Sequence, residues 1–201
     1  MSIKALQEYT RYSKYSNYRP DLKRRETWKE QIDRVFGMHE EKFKDTLHLF
    51  REEFDFAKQM VLKKRVLGSQ RALQFGGTPI LSKHSRLYNC TSSYCNRPRF
   101  FQEAMWLLLS GCGVGFSVQQ HHIAKLPKIA DRTLGKKVFT PDDSIEGWSD
   151  CIGVLMSSFF DSTETPFPEY RGYEIEFNFS NITTDLFSNK HPRGGTALPN
   201  H

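Results

Sequence analysis

The sequence predicts an α/β fold in which a helical layer comes first and a short alternation of strands and helices follows. Three observations predict it. The first third carries apolar residues at helical spacing. A glycine-lined run, Gly111-Cys112-Gly113-Val114-Gly115-Phe116, then leads from a helix into a strand. The last third joins one well-patterned helix to one strand of strict alternation. A strand-helix-strand-helix-strand order has too few strands to close on itself, so the architecture is expected to be unfinished within 201 residues.

Residues 1–26 are polar and read as a loosely structured arm. Thr27-Trp28-Lys29-Glu30 then forms a capping box, in which the threonine hydroxyl and the glutamate carboxylate each satisfy an orphan backbone N–H. Trp28, Ile32, Val35 and Phe36 follow at helical spacing until Gly37, where an interruption is expected. A second helix is expected over roughly 38–65, with Phe43, Leu47, Phe50, Phe54, Ala57 and Val61 along one side. Residues 1–67 therefore make the helical region. Residues 68–201 make the α/β region, because the stretch from Gly68 to Cys90 is rich in Gly, Ser and Thr and reads as loops and short extended segments.

Pro98 stands where a first-turn proline belongs. Phe101, Ala104, Met105 and Leu108 line the helix behind it, and Gly111 stops that helix. Val114 to Gln119 is a strand. Asp143-Ser144-Ile145-Glu146 caps the next helix, which places Ile145, Trp148, Cys151, Ile152, Leu155, Met156 and Phe159 on one face. Tyr173, Ile175 and Phe177 alternate with Glu174, Glu176 and Asn178, the pattern of a half-buried strand. From Asn181 onward the chain reads as polar and turn-like.

A hydrophobic content of 38% with sixteen Phe is enough for a core. The net charge of +6 suits polyanions such as nucleotide phosphates or nucleic acid, and suits a plain basic surface equally well. The start lacks an apolar leader, and no stretch approaches the roughly 18 apolar residues of a membrane span. The expectation is a soluble, cytoplasmic protein with no membrane partner, in which the sequons at Asn89 and Asn181 carry no meaning. Four cysteines (90, 95, 112 and 151) include no C-x-x-C pair, so a structural zinc site is not expected.

Each motif carries a plain reading beside the functional one. Gly111-x-Gly113-x-Gly115 fails as a dinucleotide fingerprint, which follows a strand and opens a helix, the reverse of the order here. It is a tight helix-to-strand turn or a ligand cradle. Cys90 alone is a core thiol, a nucleophile or a redox thiol. His84, His121 and His122 offer no spacing for a Cys–His mechanism and read as exposed polar residues. Cys95 reaches Cys90 only if the loop folds back. The cluster Arg19, Lys23, Arg24 and Arg25 comes without a nucleic-acid motif and reads as a solvated face.

In order and spacing these landmarks resemble the N-terminal part of a class II, adenosylcobalamin-dependent ribonucleoside-triphosphate reductase. The likeness is collinear over most of residues 10–180. It runs from Arg24-Arg25-Glu26-Thr27-Trp28 and Asp33-Arg34-Val35 through Leu67-Gly68-Ser69-Gln70-Arg71 and Gly76-Gly77-Thr78-Pro79. Asn89-Cys90 follows, then the block from Gly111 to Val118, Leu126-Pro127 and Ser144-Ile145-Glu146-Gly147-Trp148. Phe177-Asn178-Phe179-Ser180-Asn181-Ile182 completes it. The resemblance implies a ten-stranded α/β barrel of the kind seen in glycyl-radical enzymes, incomplete in this chain. It implies thiyl-radical replacement of the ribose 2′-OH by hydrogen, with two cysteines supplying the electrons. By that likeness Cys90 is one of the two reducing thiols, and Asn89 contacts substrate through its backbone. Gly113 lets substrate lie against the strand, and Thr78 stands on the ribose or phosphate side.

The implied partners are ribonucleoside triphosphates, a thioredoxin-type dithiol and a downstream reductase polypeptide that completes the barrel, with a homodimer contact also plausible. The radical cysteine, the second reducing cysteine and most of the adenosylcobalamin site belong downstream in that family. The segment that carries the effector site is short here, over Leu126 to Glu146, which leaves the residues of an allosteric enzyme unassigned. After Asn181-Ile182 the chain departs from the family pattern and rejoins it only at Gly194-Gly195-Thr196-Ala197. A class I large-subunit fragment and a non-catalytic nucleotide-binding remnant remain as alternatives.

Overall fold

The structure, a computed structural model, describes residues 2–183, and the chain divides into two compact units that meet between Leu87 and Tyr88. Gly194-Gly195-Thr196-Ala197 and most of the expected turn-like tail lie outside the described residues.

The first unit is helical. Residues 1–26 are not a loose arm: α1 (Ile3–Lys14) is capped by Ser2, whose hydroxyl accepts from the Ala5 N–H. Two short strands, β1 (Tyr18–Arg19) and β2 (Arg24–Arg25), then pair antiparallel, and the turn between them holds Lys23 at a φ of 50°. The capping box at Thr27 and Glu30 is present and opens α2 (Trp28–Lys42). That helix runs straight through Gly37. A glycine inside an exposed turn costs about 1 kcal/mol. The cap and the burial of Ile32, Val35 and Met38 on the other face outweigh it.

The chain breaks instead at Phe43. A 3₁₀ turn over Leu47–Leu49 leads into α3 (Arg51–Leu62), so the single helix expected over 38–65 is two segments. Residues 68–90 also depart from expectation, since they fold mostly as α4 (Gln70–Phe75), α5 (Thr78–Ser82) and a 3₁₀ turn at His84–Leu87. Ser69 caps α4, and Gly77, at a φ of 95°, makes the corner that starts α5.

Ile32, Val35, Val61, Ala72 and Leu73 form the core of this unit, with Tyr15, Trp28, Phe36 and Leu62 packed around it. A polar clasp ties the layer together. Arg34 forks onto the Glu26 carboxylate at 2.7 and 3.0 Å, and also donates to the carbonyls of Leu73 and Gly76 at 2.9 and 2.8 Å. The last carbonyls of a helix have no partner within it, and here a half-buried guanidinium supplies one. The basic cluster is largely spoken for: Arg19 pairs with Asp21, Arg24 with Glu30, and Arg25 donates to the Ser16 carbonyl.

The second unit is α/β. It runs through β3 (Cys90–Tyr94), α6 (Arg99–Leu109), β4 (Gly113–Ser117), α7 (Gln120–Ile123), β5 (Lys136–Phe139), α8 (Ile145–Phe159) and β6 (Glu174–Phe177). Strand β3 pairs parallel with β4, with α6 as the crossover, and β5 pairs parallel with β6, with α8 as the crossover. Parallel neighbours need such a connection, which explains the helix between each pair. Strand β5 falls in the stretch where the sequence shows no strong periodicity. Phe100, Val154 and Phe160 are each at most 2% exposed, and Phe100 meets Phe116 at 5.0 Å between centroids. Burial pushes the Cys151 thiol up to about 11, as suits a core sulfur.

Among the described residues the strands make three two-stranded sheets and no closed barrel. No helix among them is long and apolar enough to cross a membrane.

Candidate functional site

Side chains alternate along a strand, and residues paired across parallel strands share a face. The register Cys90↔Gly113, Ser92↔Gly115 and Tyr94↔Ser117 therefore puts these six residues on one face of β3–β4. Thr91, Ser93, Val114 and Phe116 occupy the other. The first face is open: Cys90, Ser92, Tyr94, Gly113 and Gly115 are all exposed.

The thiol is held at the start of this floor. The Gly113 N–H donates to the Asn89 carbonyl at 2.8 Å, closing the pair at its first step. The Asn89 side-chain amide lies 3.5 Å from the Cys90 sulfur and donates to it. All four cysteines are free, and Cys90 is the exposed one. Cys95 is buried just beyond the other end of β3, and Cys112 is buried on the opposite side, its sulfur 3.7 Å from the Thr91 hydroxyl. Among the described residues, then, no second thiol shares the floor with Cys90. Sulfur chemistry there needs a partner thiol from elsewhere.

The two floor glycines have no structural reason to be glycines. Neither adopts a positive φ. A Cβ at Gly113 would rest 3.6 Å from the Cys90 sulfur, and one at Gly115 would rest 3.9 Å from the Thr91 carbonyl, both ordinary contacts. Glycine weakens a strand, so a bare floor is a cost to the fold unless something must approach the backbone.

At the far end stands a group that sequence reasoning treated as loose polar histidines. The His122 and Tyr94 rings lie 4.5 Å apart, and His122 Nδ1 is 2.9 Å from the Ser117 hydroxyl. Partial desolvation, then the charges of His121 and Lys125, hold the His122 imidazole below its ordinary range and favour the neutral ring. Strand alternation counted forward from Cys90 would have placed Tyr94 on this face. The turn that returns His122 to it leaves no mark in the sequence. His84 belongs to the first unit, in the 3₁₀ turn before Leu87.

Thr78 also lies in the first unit, exposed at the first position of α5. Within the second unit the structure brings Asn89, Cys90 and Gly113 together. On the opposite face of β3 is a groove of about 530 Å³, lined by Thr91, Ser93, Arg97, Glu103, Trp106 and Asp150. Burial raises the Asp150 carboxyl above its ordinary range, and Gln102 donates a hydrogen bond to it.

Among solved structures, the chain matches a B12-dependent (class II) ribonucleotide reductase with a TM-score of 0.72 and 19% identity. The match covers 87% of this chain and 32% of that one, so the chain spans about a third of that protein's length. At this identity the likeness shows a shared fold. No family model matches the chain, and no curated protein matches it.

Proposed function

We propose that the chain forms one wall of the active site of a ribonucleotide reductase that acts on ribonucleoside triphosphates by a thiyl-radical mechanism, with Cys90 as one of its two reducing thiols. The observation that carries the reading is the exposed Cys90 thiol paired across parallel strands with Gly113, on a floor that has given up its side chains. The shared fold with part of a reductase supports it.

In this reading the ribose lies on the glycine floor with its 2′-OH toward the sulfur. The Cys90 S–H gives its proton to the departing hydroxyl, which leaves as water. Cys90 and a second thiol, supplied from outside the described residues, then join in a disulfide. Their two electrons replace the C–O bond by C–H. An external dithiol, oxidised in turn, restores both thiols by exchange. Asn89 steadies the sulfur through its amide, and its backbone is the group that meets the sugar.

The groove on the second unit does not suit adenosylcobalamin. The 530 Å³ groove is the size of a drug-like ligand, lies on the face of β3 away from Cys90, and is walled by charged side chains. The reading requires a polypeptide that carries the rest of the fold, together with its radical source.

The test mixes the chain with candidate complementing polypeptides, CTP, adenosylcobalamin and dithiothreitol, and measures deoxycytidine triphosphate. Loss of product in Cys90→Ser is the expected result, and undiminished product in that variant sinks the assignment. With the chain alone, CTP is expected to slow alkylation of Cys90 by iodoacetamide.

A further inference from the structure

Resting on that nucleotide reading, we propose that Tyr94 and His122 form the platform on which the nucleobase stacks, at the end of the floor opposite Cys90. Alternation places Tyr94 on the Cys90 face, four residues along, which is about 13 Å at the rise of a strand. That is the span of a sugar and its base with a layer of contact at each end. Between the two ends lie only Ser92 and Gly115, so nothing bulky interrupts a flat ligand.

The platform is built rather than accidental. Ser117 is the cross-strand partner of Tyr94, and its hydroxyl lies 2.9 Å from His122 Nδ1. The His122 ring in turn sits 4.5 Å from the Tyr94 ring. One aromatic side chain is thus fixed by the strand and the other by a hydrogen bond from the neighbouring strand. Tyr94 nevertheless remains 54% exposed, a large ring left uncovered on an otherwise small-residue surface.

Stacking accepts every base, because each has a π-face, and it discriminates weakly. The expected ligand class is therefore the base of any ribonucleotide. Selection among the four bases would have to come from elsewhere.

The experiment titrates CTP into the full chain by calorimetry and follows saturation transfer to the cytosine H5 and H6 protons. Tripolyphosphate serves as the probe without a base. Tyr94→Ala is expected to weaken CTP about tenfold, with tripolyphosphate unchanged, as loss of one stacking partner implies. Tyr94→Phe should keep the wild-type affinity, and Gly115→Ala, whose Cβ the fold accommodates at 3.9 Å from the Thr91 carbonyl but which stands where the ligand lies, should lose it. Unchanged CTP affinity in Tyr94→Ala, with CTP still protecting Cys90 from alkylation, overturns the platform and leaves the nucleotide reading standing. Wild-type chain that neither binds CTP nor is protected by it overturns both.

Discussion

Gly76 in the first unit and Gly113 in the second are both glycines in tight company, yet they are glycines for opposite reasons. A Cβ at Gly76 would fall 2.5 Å from the Ala72 carbonyl and 3.1 Å from both the Arg34 guanidinium and Val35. The fold itself forbids a side chain there, because the backbone must come close enough to hand its carbonyl to Arg34. At Gly113 a Cβ would find room at 3.6 Å from a sulfur. The first glycine belongs to a closed, self-satisfied layer. The second belongs to an open strand surface that would accept a side chain without strain. Packing geometry separates the two cases, whereas sequence shows only a glycine in each.

That contrast can be broken by substitution. The largest stability effect is expected at Arg34→Ala, which leaves the Glu26 carboxylate, 5% exposed at its side chain, with no countercharge and only the Asn17 N–H, and takes the guanidinium from the Leu73 and Gly76 carbonyls. Breaking a buried pair costs about 3–5 kcal/mol. A chemical-denaturation midpoint within error of wild type would show that the clasp does not hold the layer.

Gly76→Ala should follow, at about 1–3 kcal/mol from forced overpacking. Gly113→Ala should instead leave the melting temperature unchanged or slightly raised, by up to about 1 kcal/mol of strand preference. It should nevertheless abolish the protection of Cys90 by CTP. Equal destabilisation by the two alanines would erase the distinction.

The smallest expected effect is acid sensitivity at the start of α2. The Arg24 guanidinium, and then the N–H and hydroxyl of Thr27, hold the Glu30 carboxyl well below the usual carboxylate range. A folded-state value depressed in this way gives stability that is full above the unfolded range and drains away as pH falls toward the folded value. Melting temperature should therefore fall more steeply from about pH 5 to about pH 3 in wild type than in Glu30→Gln. Parallel curves would remove Glu30 from the account.

How much of this was legible follows the same line. The capping box at Thr27 and the N-cap at Ser144, and the helices they open, could be read directly because they depend on contacts three or four residues apart. The break at Gly37 was misread, since local propensity yields where a helix buries Ile32 and Val35 on its other side. Strand β5, Lys136-Lys137-Val138-Phe139, was missed because half of it is lysine and its strand character comes from pairing with β6. The likeness to a reductase fold was legible from the order of the motifs. The pairing of Cys90 with Gly113, across 23 positions of chain, could be suspected from those motifs but fixed only by the register. The Tyr94–His122 contact was invisible, because a turn of no distinctive composition creates it.

Cys112 gives that register a chemical meaning. Its sulfur is held among buried residues on the Thr91 side, one position before the glycine that faces Cys90. A slip of one residue between β3 and β4 would carry Cys112 onto the open face directly across from Cys90. Neighbouring strands are about 4.8 Å apart, within the span a disulfide bridges. An oxidant that takes two electrons from the facing thiols would close them into a disulfide. Burial of Cys112 thus works as an alignment key: only the native register keeps that thiol in the core and leaves Cys90, among the described residues, as the free thiol of the open face.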